Sequence, residues 1–181
     1  MATTAAGTPY VESSDLVANY PGVSLALANH IDGLDGGKIL QVVRDTDTTL
    51  RSTTSATFVD VTGMSVTITP QSATSNILLM LVASTYLYYD TDGTRYAYAQ
   101  ITDSSNVAIS GAQSAQLGLR NIQGVTSTRF IYAPINVVGY HSPGSTSAIT
   151  YKARFAADAA VTLIFDNAVT TGQLFAIEVA A

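Results

Sequence analysis

The sequence contains no cysteine and few charged residues. Only 12% of its 181 residues are charged, whereas a typical soluble domain has about 25%. Without cysteine, the chain has no disulfide framework, no thiolate nucleophile and no cysteine-ligated metal site. Threonine and serine occupy the polar positions instead and suit β-strands. The low charge therefore indicates a surface that is largely buried against partners.

Basic residues and long apolar runs are also scarce. Eight Lys and Arg residues stand against thirteen Asp and Glu residues, for a net charge of −5. Because phosphate contacts require clustered basic residues, and those of this chain are scattered, a nucleic-acid partner is not expected. No apolar run approaches the ~18 residues of a membrane span. The first ten residues lack the basic and apolar regions of a signal peptide.

Groups suited to acid–base chemistry are few. The histidines are His30 and His141. A serine-nucleophile triad needs a histidine as proton shuttle, and His141 has serines nearby but no G-x-S-x-G turn. Two histidines without cysteine are too few for a zinc site unless carboxylates contribute. The glutamates are Glu12 and Glu178, so the paired carboxylates of a glycosidase would have to come from aspartates in turns.

One short segment has the spacing of a cation-binding loop. In the sequence DTDG at residues 90–93, two carboxylates two residues apart precede a glycine, as they do in calcium loops. The later acidic ligands of an EF-hand loop are absent. A hairpin turn explains the same residues, because Asp tolerates turn geometry and Gly supplies a positive φ. The sequence therefore predicts no enzymatic activity, no metal and no cofactor.

Strand-like segments separated by Thr, Ser, Asp and Gly turns fill residues 37–181. Their period-2 alternation, without crossover helices, predicts about ten strands. The fold class expected is all-β: an antiparallel, jelly-roll-like β-sandwich. It would follow an N-terminal segment at residues 1–36, an arm with a short helical stretch. A tight turn at residues 60–63 is expected to separate strands at 57–61 and 64–69.

Three segments have more specific patterns. Residues 77–83 are apolar on both faces, which predicts a central strand covered on both sides. Residues 129–140 contain Pro134, which cannot donate a hydrogen bond, so this strand is expected at an edge or at a bulge. Residues 111–128 are rich in Gly, Gln and Ser and weakly patterned. They are interpreted as a long loop or an edge segment.

Four tyrosines recur at period 2 on either side of the turn at residues 90–93. They are expected to pair across the two strands of a hairpin. This tyrosine face has two interpretations, packing in a sheet or subunit interface and stacking on sugar rings, because tyrosine is amphipathic. The four residues are Tyr86, Tyr88, Tyr96 and Tyr98.

The only helical pattern lies at residues 12–34, after an extended arm at 1–11. Ser13 or Ser14 can cap a short first helix, and Pro21 can open a second. The helical stretch presents an apolar stripe that packs either on the chain's own β-domain or against its copies or a host surface. The stripe consists of Leu16, Tyr20, Val23, Leu27, Ile31 and Leu34.

Five segments resemble a known family. Residues 37–42 (GKILQV), 58–70 (FVDVTGMSVTITP) and 75–79 (SNILL) are similar to the opening segments of a β-sandwich module. Residues 147–155 (SAITYKARF) and 171–181 (TGQLFAIEVAA) resemble its later strands. The module recurs in structural proteins of tailed bacteriophages, especially those of cyanobacteria, which are described as tail fibre, virion structural or head decoration proteins.

The resemblance implies a non-enzymatic role in a virion. It covers roughly residues 37–181, with the middle, about 90–146, divergent. The chain is then expected to be a short fibre, knob or decoration that docks through its N-terminal segment and projects a homotrimeric β-domain. Its partners would be its own copies and capsid, collar or tail proteins, after assembly in the bacterial cytoplasm. The alternative is a module that binds host-surface glycan through the tyrosine face and the 111–128 loop.

Overall fold

The computed structural model describes residues 2–3, 9–10, 20–32, 37–89, 93–112, 115–122 and 129–181, with only the backbone for some helix and strand residues. In chain order the elements are β1 (Ala2–Thr3), β2 (Pro9–Tyr10), α1 (Tyr20–Asp32), β3 (Ile39–Asp47), β4 (Arg51–Thr53), β5 (Val59–Ile68), β6 (Asn76–Tyr89), β7 (Gly93–Asp103), β8 (Ala115–Ile122), β9 (Arg129–His141), β10 (Ile149–Ala157), β11 (Val161–Phe165) and β12 (Gly172–Val179).

Two antiparallel sheets form a sandwich, which confirms the predicted fold class. The four-stranded sheet has the order β5-β10-β7-β8. The six-stranded sheet is built on β6, which pairs with β9 along one side. Along the other side, β12 pairs with its first half and β11 with its last five residues, so β11 and β12 lie end to end. β4 pairs with the outer edge of β11, and β3 pairs with the outer edge of β12.

The core lies between the sheets and follows from strict alternation along the strands. In β6, every second residue from Ile77 to Tyr89 is buried. In the facing sheet, β10 contributes Tyr151 and Phe155. The Phe155 ring meets that of Phe165 edge to face at a centroid distance of 5.4 Å, which joins the two sheets. Each large apolar side chain buried in this way contributes about 1.5–3 kcal/mol.

A buried carboxylate closes one end of the sandwich. Glu178 on β12 is fully buried, and its Oε2 accepts a 2.6 Å hydrogen bond from Gln41 Nε2. Its Oε1 accepts hydrogen bonds from the backbone amides of Gln71 and Ser72, in the loop between β5 and β6. Burial alone raises the pKa of Glu178, but these donors outweigh it, and the pKa is lowered overall. The ionised carboxylate thus fixes the loop that connects the two sheets.

A second buried carboxylate, that of Asp47, holds together other connections between strands. Asp47, at the end of β3, accepts two hydrogen bonds from Arg51, of 2.8 and 3.1 Å, and one of 3.1 Å from Asn167 Nδ2. Gly63 of β5 passes close to this cluster with a φ of +84°, where a Cβ would meet the Arg51 guanidinium at 3.0 Å. The cluster therefore links the β3–β4 turn, the β11–β12 loop and β5.

The prediction of a tight turn at residues 60–63 is wrong. Residues 59–68 form one strand, β5, and its pairing with β10 shifts register between Lys152 and Arg154. The extra residues are absorbed by a β-bulge, in which Gly63 supplies a positive φ as it would in a tight turn. The local sequence therefore does not distinguish the two structures.

Two predictions about strand position are confirmed, and one about pairing is wrong. β9 contains Pro134 and pairs only with β6 among the described strands, so it is an edge strand. β8, within the weakly patterned segment, is the edge of the other sheet. However, β6 and β7 do not form a hairpin, because they belong to different sheets. The connection between them at residues 90–92 lies outside the described residues.

The Glu178 cluster predicts a pH-dependent contribution to stability. Because the pKa of Glu178 is lower in the folded protein than in the unfolded chain, its contribution is complete above the unfolded pKa, near 4.5, and is lost as pH falls through the folded pKa. Glu178→Gln should lower the free energy of unfolding at pH 7 by about 1–3 kcal/mol. It should also flatten the decline of that free energy below pH 5, measured by urea denaturation.

Asp166→Asn, which removes a carboxylate outside both buried clusters, is the control and should retain the acid dependence. A Glu178→Gln protein as stable as wild type at pH 7 would contradict the assigned role of this carboxylate.

Candidate functional site

The two outer faces of the sandwich differ in chemistry. On the four-stranded sheet, Lys152 Nζ and Arg154 Nε each lie 2.8 Å from a carboxylate oxygen of Asp60. Lys152 also donates a 2.7 Å hydrogen bond to Asn106 Oδ1. The hydrogen bond from Lys152 is the main cause that lowers the pKa of Asp60. Apolar residues inward and ion-paired residues outward are typical of an antiparallel sheet with one solvated face.

The outer face of the six-stranded sheet lacks this alternation. In β6, the residues between the core positions are mostly apolar too, and so are their partners in β9. Among the described outward-facing strand residues of this sheet, Arg44 alone is charged, and Asp166 lies in the gap between β11 and β12. The outward side chains of β6 are Leu78, Met80, Val82, Ser84, Tyr86 and Tyr88; those of β9 are Phe130, Tyr132, Pro134, Asn136, Val138 and Tyr140.

At one end of this face, two cross-strand rows make an apolar patch. In the first row, the strand register places side by side Val42 of β3, Ile177 of β12, Leu78 of β6 and Tyr140 of β9. In the second row it places side by side Phe175 of β12, Met80 of β6 and Val138 of β9. Val42 is 56% exposed, and Val138 and Tyr140 are each 51% exposed, which is high for apolar side chains on a sheet. The apolar patch consists of Val42, Leu78, Met80, Val138, Tyr140, Phe175 and Ile177.

At the other end, four rings make an aromatic patch: Tyr86, Tyr88, Phe130 and Tyr132. The Tyr86 ring lies 5.1 Å from that of Tyr132 and 6.0 Å from that of Phe130. The Tyr88 ring lies 5.5 Å from that of Phe130. These tilted arrangements stabilise the cluster, yet Tyr132 remains 68% exposed. The patch is therefore ordered and accessible.

A polar band separates the two patches. Its polar members are Ser84, Asn136, Asp166 and Gln173, and the apolar Val82 and Pro134 lie among them. The Asp166 amide donates a 2.8 Å hydrogen bond to the Ser84 carbonyl, which places Asp166 beside the middle of β6. Burial and the negative charge of Asp166 raise the pKa of Tyr86. The carboxylate thus lies near the aromatic patch, among side chains that can donate and accept hydrogen bonds.

The structure does not bring the predicted tyrosine face together. Tyr86 and Tyr88 lie on the outer face of the six-stranded sheet. Tyr96 and Tyr98 lie on the four-stranded sheet, with ring centroids 6.3 Å apart. They face outward there, because the alternate residues of β7 are buried. The two pairs therefore lie on opposite sides of the sandwich.

Sequence reasoning missed two members of the aromatic patch, Phe130 and Tyr132. Both lie on β9, which follows β6 by some forty residues along the chain. Their period-2 spacing was visible in the sequence. Only the pairing of Tyr86 with Tyr132 and of Tyr88 with Phe130 reveals the cluster.

The predicted apolar stripe falls partly within the described residues. Leu16 and Leu34 lie outside them, and Tyr20, Val23 and Ile31 are described only as backbone positions of α1.

The described side chains of α1, at residues 24–30, include none that is buried. Leu27 is half-buried and Leu25 is 62% exposed. α1 contacts β2. The helix begins next to Pro21, as expected of proline in a first turn, whereas the predicted first short helix lies outside the described residues.

The described histidines and carboxylates offer no assembled catalytic group. His141 Nδ1 lies 2.7 Å from the Tyr151 hydroxyl, not from a serine, and burial raises the pKa of Tyr151 to about 12. The Glu178 carboxylate is hydrogen-bonded to the loop between β5 and β6, and Glu12 lies outside the described residues. Within the described part of the chain, no three His, Asp or Glu residues are arranged to bind a metal ion, and no helix is long and apolar enough to cross a membrane.

Comparison with models of known protein families gave no match, and comparison with curated proteins gave none. Among solved structures, VP2 of infectious bursal disease virus in T=1 particles is 13% identical with a TM-score of 0.30, over 78% of this chain and 36% of VP2. The Gx-strain structure is 16% identical with a TM-score of 0.29, over 78% and 37%. The chain thus spans little more than a third of these proteins. Similarity at this level carries no functional argument.

Proposed function

We propose that this protein is a non-enzymatic structural component of a bacteriophage virion: a short fibre, knob or decoration that docks through its N-terminal segment and projects an oligomeric β-domain. The observation that carries this proposal is the outer face of the six-stranded sheet. It is apolar over most of its length, whereas the opposite face is ion-paired. A large exposed apolar surface usually marks a protein–protein contact. The resemblance of residues 37–181 to a phage virion module supports the virion as the location.

Attachment is assigned to residues 1–36. The described part of α1 has no buried side chain, and Leu25 and Leu27 are apolar. Positions 23, 27 and 31 are spaced by four and share one face of the helix, and an apolar row of this kind fits a groove on another protein. Capsid, collar or tail proteins would supply that groove. The β-domain would then project outward as an oligomer of identical chains.

The proposal predicts that the chain is incorporated into particles through α1. In virions purified from cells that produce the Leu27→Asp chain, quantitative peptide mass spectrometry should find about tenfold less of this protein or lower still, because a charge in an apolar groove weakens a central contact. Asn29→Asp introduces the same charge at an exposed polar position of the same helix and should be incorporated normally.

The possible outcomes separate the two parts of the proposal. Absence of the wild-type chain from purified particles would overturn the virion role. Normal incorporation of Leu27→Asp would leave that role standing and refute attachment through the helix.

The aromatic patch favours a second candidate function, binding of a host-surface glycan. Sugar rings stack on exposed aromatic side chains, and their hydroxyl groups need donors and acceptors nearby. Tyr132 offers the most exposed ring of the patch, and Asp166 and Asn136 of the polar band lie on the same face. A concave pocket is not required, since an extended polysaccharide can lie across a flat sheet.

Glycan binding would depend on the aromatic patch and not on the predicted tyrosines of the other sheet. If an array of bacterial surface polysaccharides identifies a ligand, Tyr132→Ala should weaken its binding by about tenfold or more, since it removes a stacking ring. Tyr96→Ala, a tyrosine on the opposite outer face, should bind like wild type. A silent array, or equal binding by both variants, would remove this function from the aromatic patch.

A further inference from the structure

We infer that the apolar patch is the contact between copies of this chain, so that the β-domains associate through the outer face of the six-stranded sheet. The inference rests on the oligomeric role proposed above and makes it specific. It assigns the subunit interface to Val42, Leu78, Met80, Val138, Tyr140, Phe175 and Ile177. The N-terminal segment then remains available for docking.

The first half of β6 has the residue pattern of a strand that is covered on both faces. An antiparallel sheet with one face in water normally alternates apolar and polar residues, whereas a strand covered on both sides is apolar throughout. The first half of β6 is apolar on both faces, with Leu78 and Met80 outward and Leu79 and Leu81 inward. The core covers the inner face. The outer face needs a cover that the described part of this chain does not supply.

Seven apolar side chains contribute to the patch. Three of its side chains are more than half exposed and the other four are partly exposed. A standard interface takes about 20–30 residues from each partner, with an apolar centre and a polar rim. The seven side chains can supply such a centre.

The lack of charge in the patch favours a second copy of this chain as its occupant. A two-fold contact brings the same patch from each copy together, so like charges at its centre would repel one another. The patch contains no charged residue, and Arg44 at its rim is 3.4 Å from Gln173 Oε1. A charged partner protein would find no complementary charge here, while an identical apolar patch is complementary by composition. Subunit interfaces are typically depleted of charge and rich in aromatic residues and Met.

The geometry leaves the aromatic patch outside this contact. Met80 and Tyr86 are six residues apart on one strand, which corresponds to about 20 Å along the sheet. The polar band lies between them and would form part of the hydrated rim. Subunit association and glycan binding on this face are therefore compatible.

The test compares two substitutions that introduce the same charge on the same face of the full-length chain. Sedimentation velocity at micromolar concentration should show a wild-type oligomer. Val138→Asp should raise the dissociation constant by about 100-fold or more, because each copy would bury a charge against apolar side chains. Tyr132→Asp, in the aromatic patch, should keep the wild-type oligomer. Thermal unfolding checks that both variants fold, as expected of outward-facing positions.

Cross-linking offers a second measurement that does not disturb the patch with charge. The natural sequence has no cysteine, so Val138→Cys carries a single thiol. A short bis-maleimide should join Val138→Cys chains into covalent dimers at protein concentrations where Ser65→Cys chains, with the thiol on the other sheet, stay separate.

Each outcome bears on the inference directly. A monomeric wild-type chain, or a Val138→Asp chain that assembles normally, would overturn it. Dissociation of Tyr132→Asp as well would refute the restriction to the apolar patch. None of these results depends on whether the protein is found in purified virions, so a failure here is distinguishable from a failure of the proposed function.

Discussion

The structure depends on the pairing of β6 along both of its edges. Its residues 77–89 pair with β9 on one side, and on the other side residues 76–82 pair with β12 and residues 85–89 with β11. A strand held in this way must present alternate side chains to opposite faces of the sheet. Because β6 is apolar at nearly every position, the pairing that fills the core with Ile77, Leu79 and Leu81 also puts Leu78 and Met80 on the outside.

Polar side chains are used mainly to connect the sheets. Glu178 and Asp47 are buried, and each is satisfied by several donors from loops that join different strands. A carboxylate with its lone pairs occupied in this way stabilises the fold, and losing one partner would leave a buried group unsatisfied. These residues are therefore unsuited to proton transfer with a substrate, and the function is to be sought on the surface.

The outer faces of the two sheets differ in their side chains and therefore in what they can contact. Lys152 and Arg154 are ion-paired with Asp60 on the four-stranded sheet, whose outer face is therefore suited to water. The six-stranded sheet offers an apolar patch suited to a second copy and an aromatic patch that stays accessible. Together with the docking role proposed for α1, this arrangement supports the proposal of a protein that assembles with its copies and projects outward. It accounts for a sequence with so little charge.

The sequence by itself determined the elements whose cause is local. Period-2 alternation located most strands, Pro134 placed β9 at an edge, and Pro21 opened α1. Tertiary structure alone decided which strands pair. The glycine at position 63 suits a turn or a bulge, and the tyrosines at 86 and 96 were expected in one hairpin but belong to different sheets. The choice between such alternatives depends on contacts between residues far apart in the chain. The aromatic patch, which joins β6 to β9, follows from that choice and has no local signature.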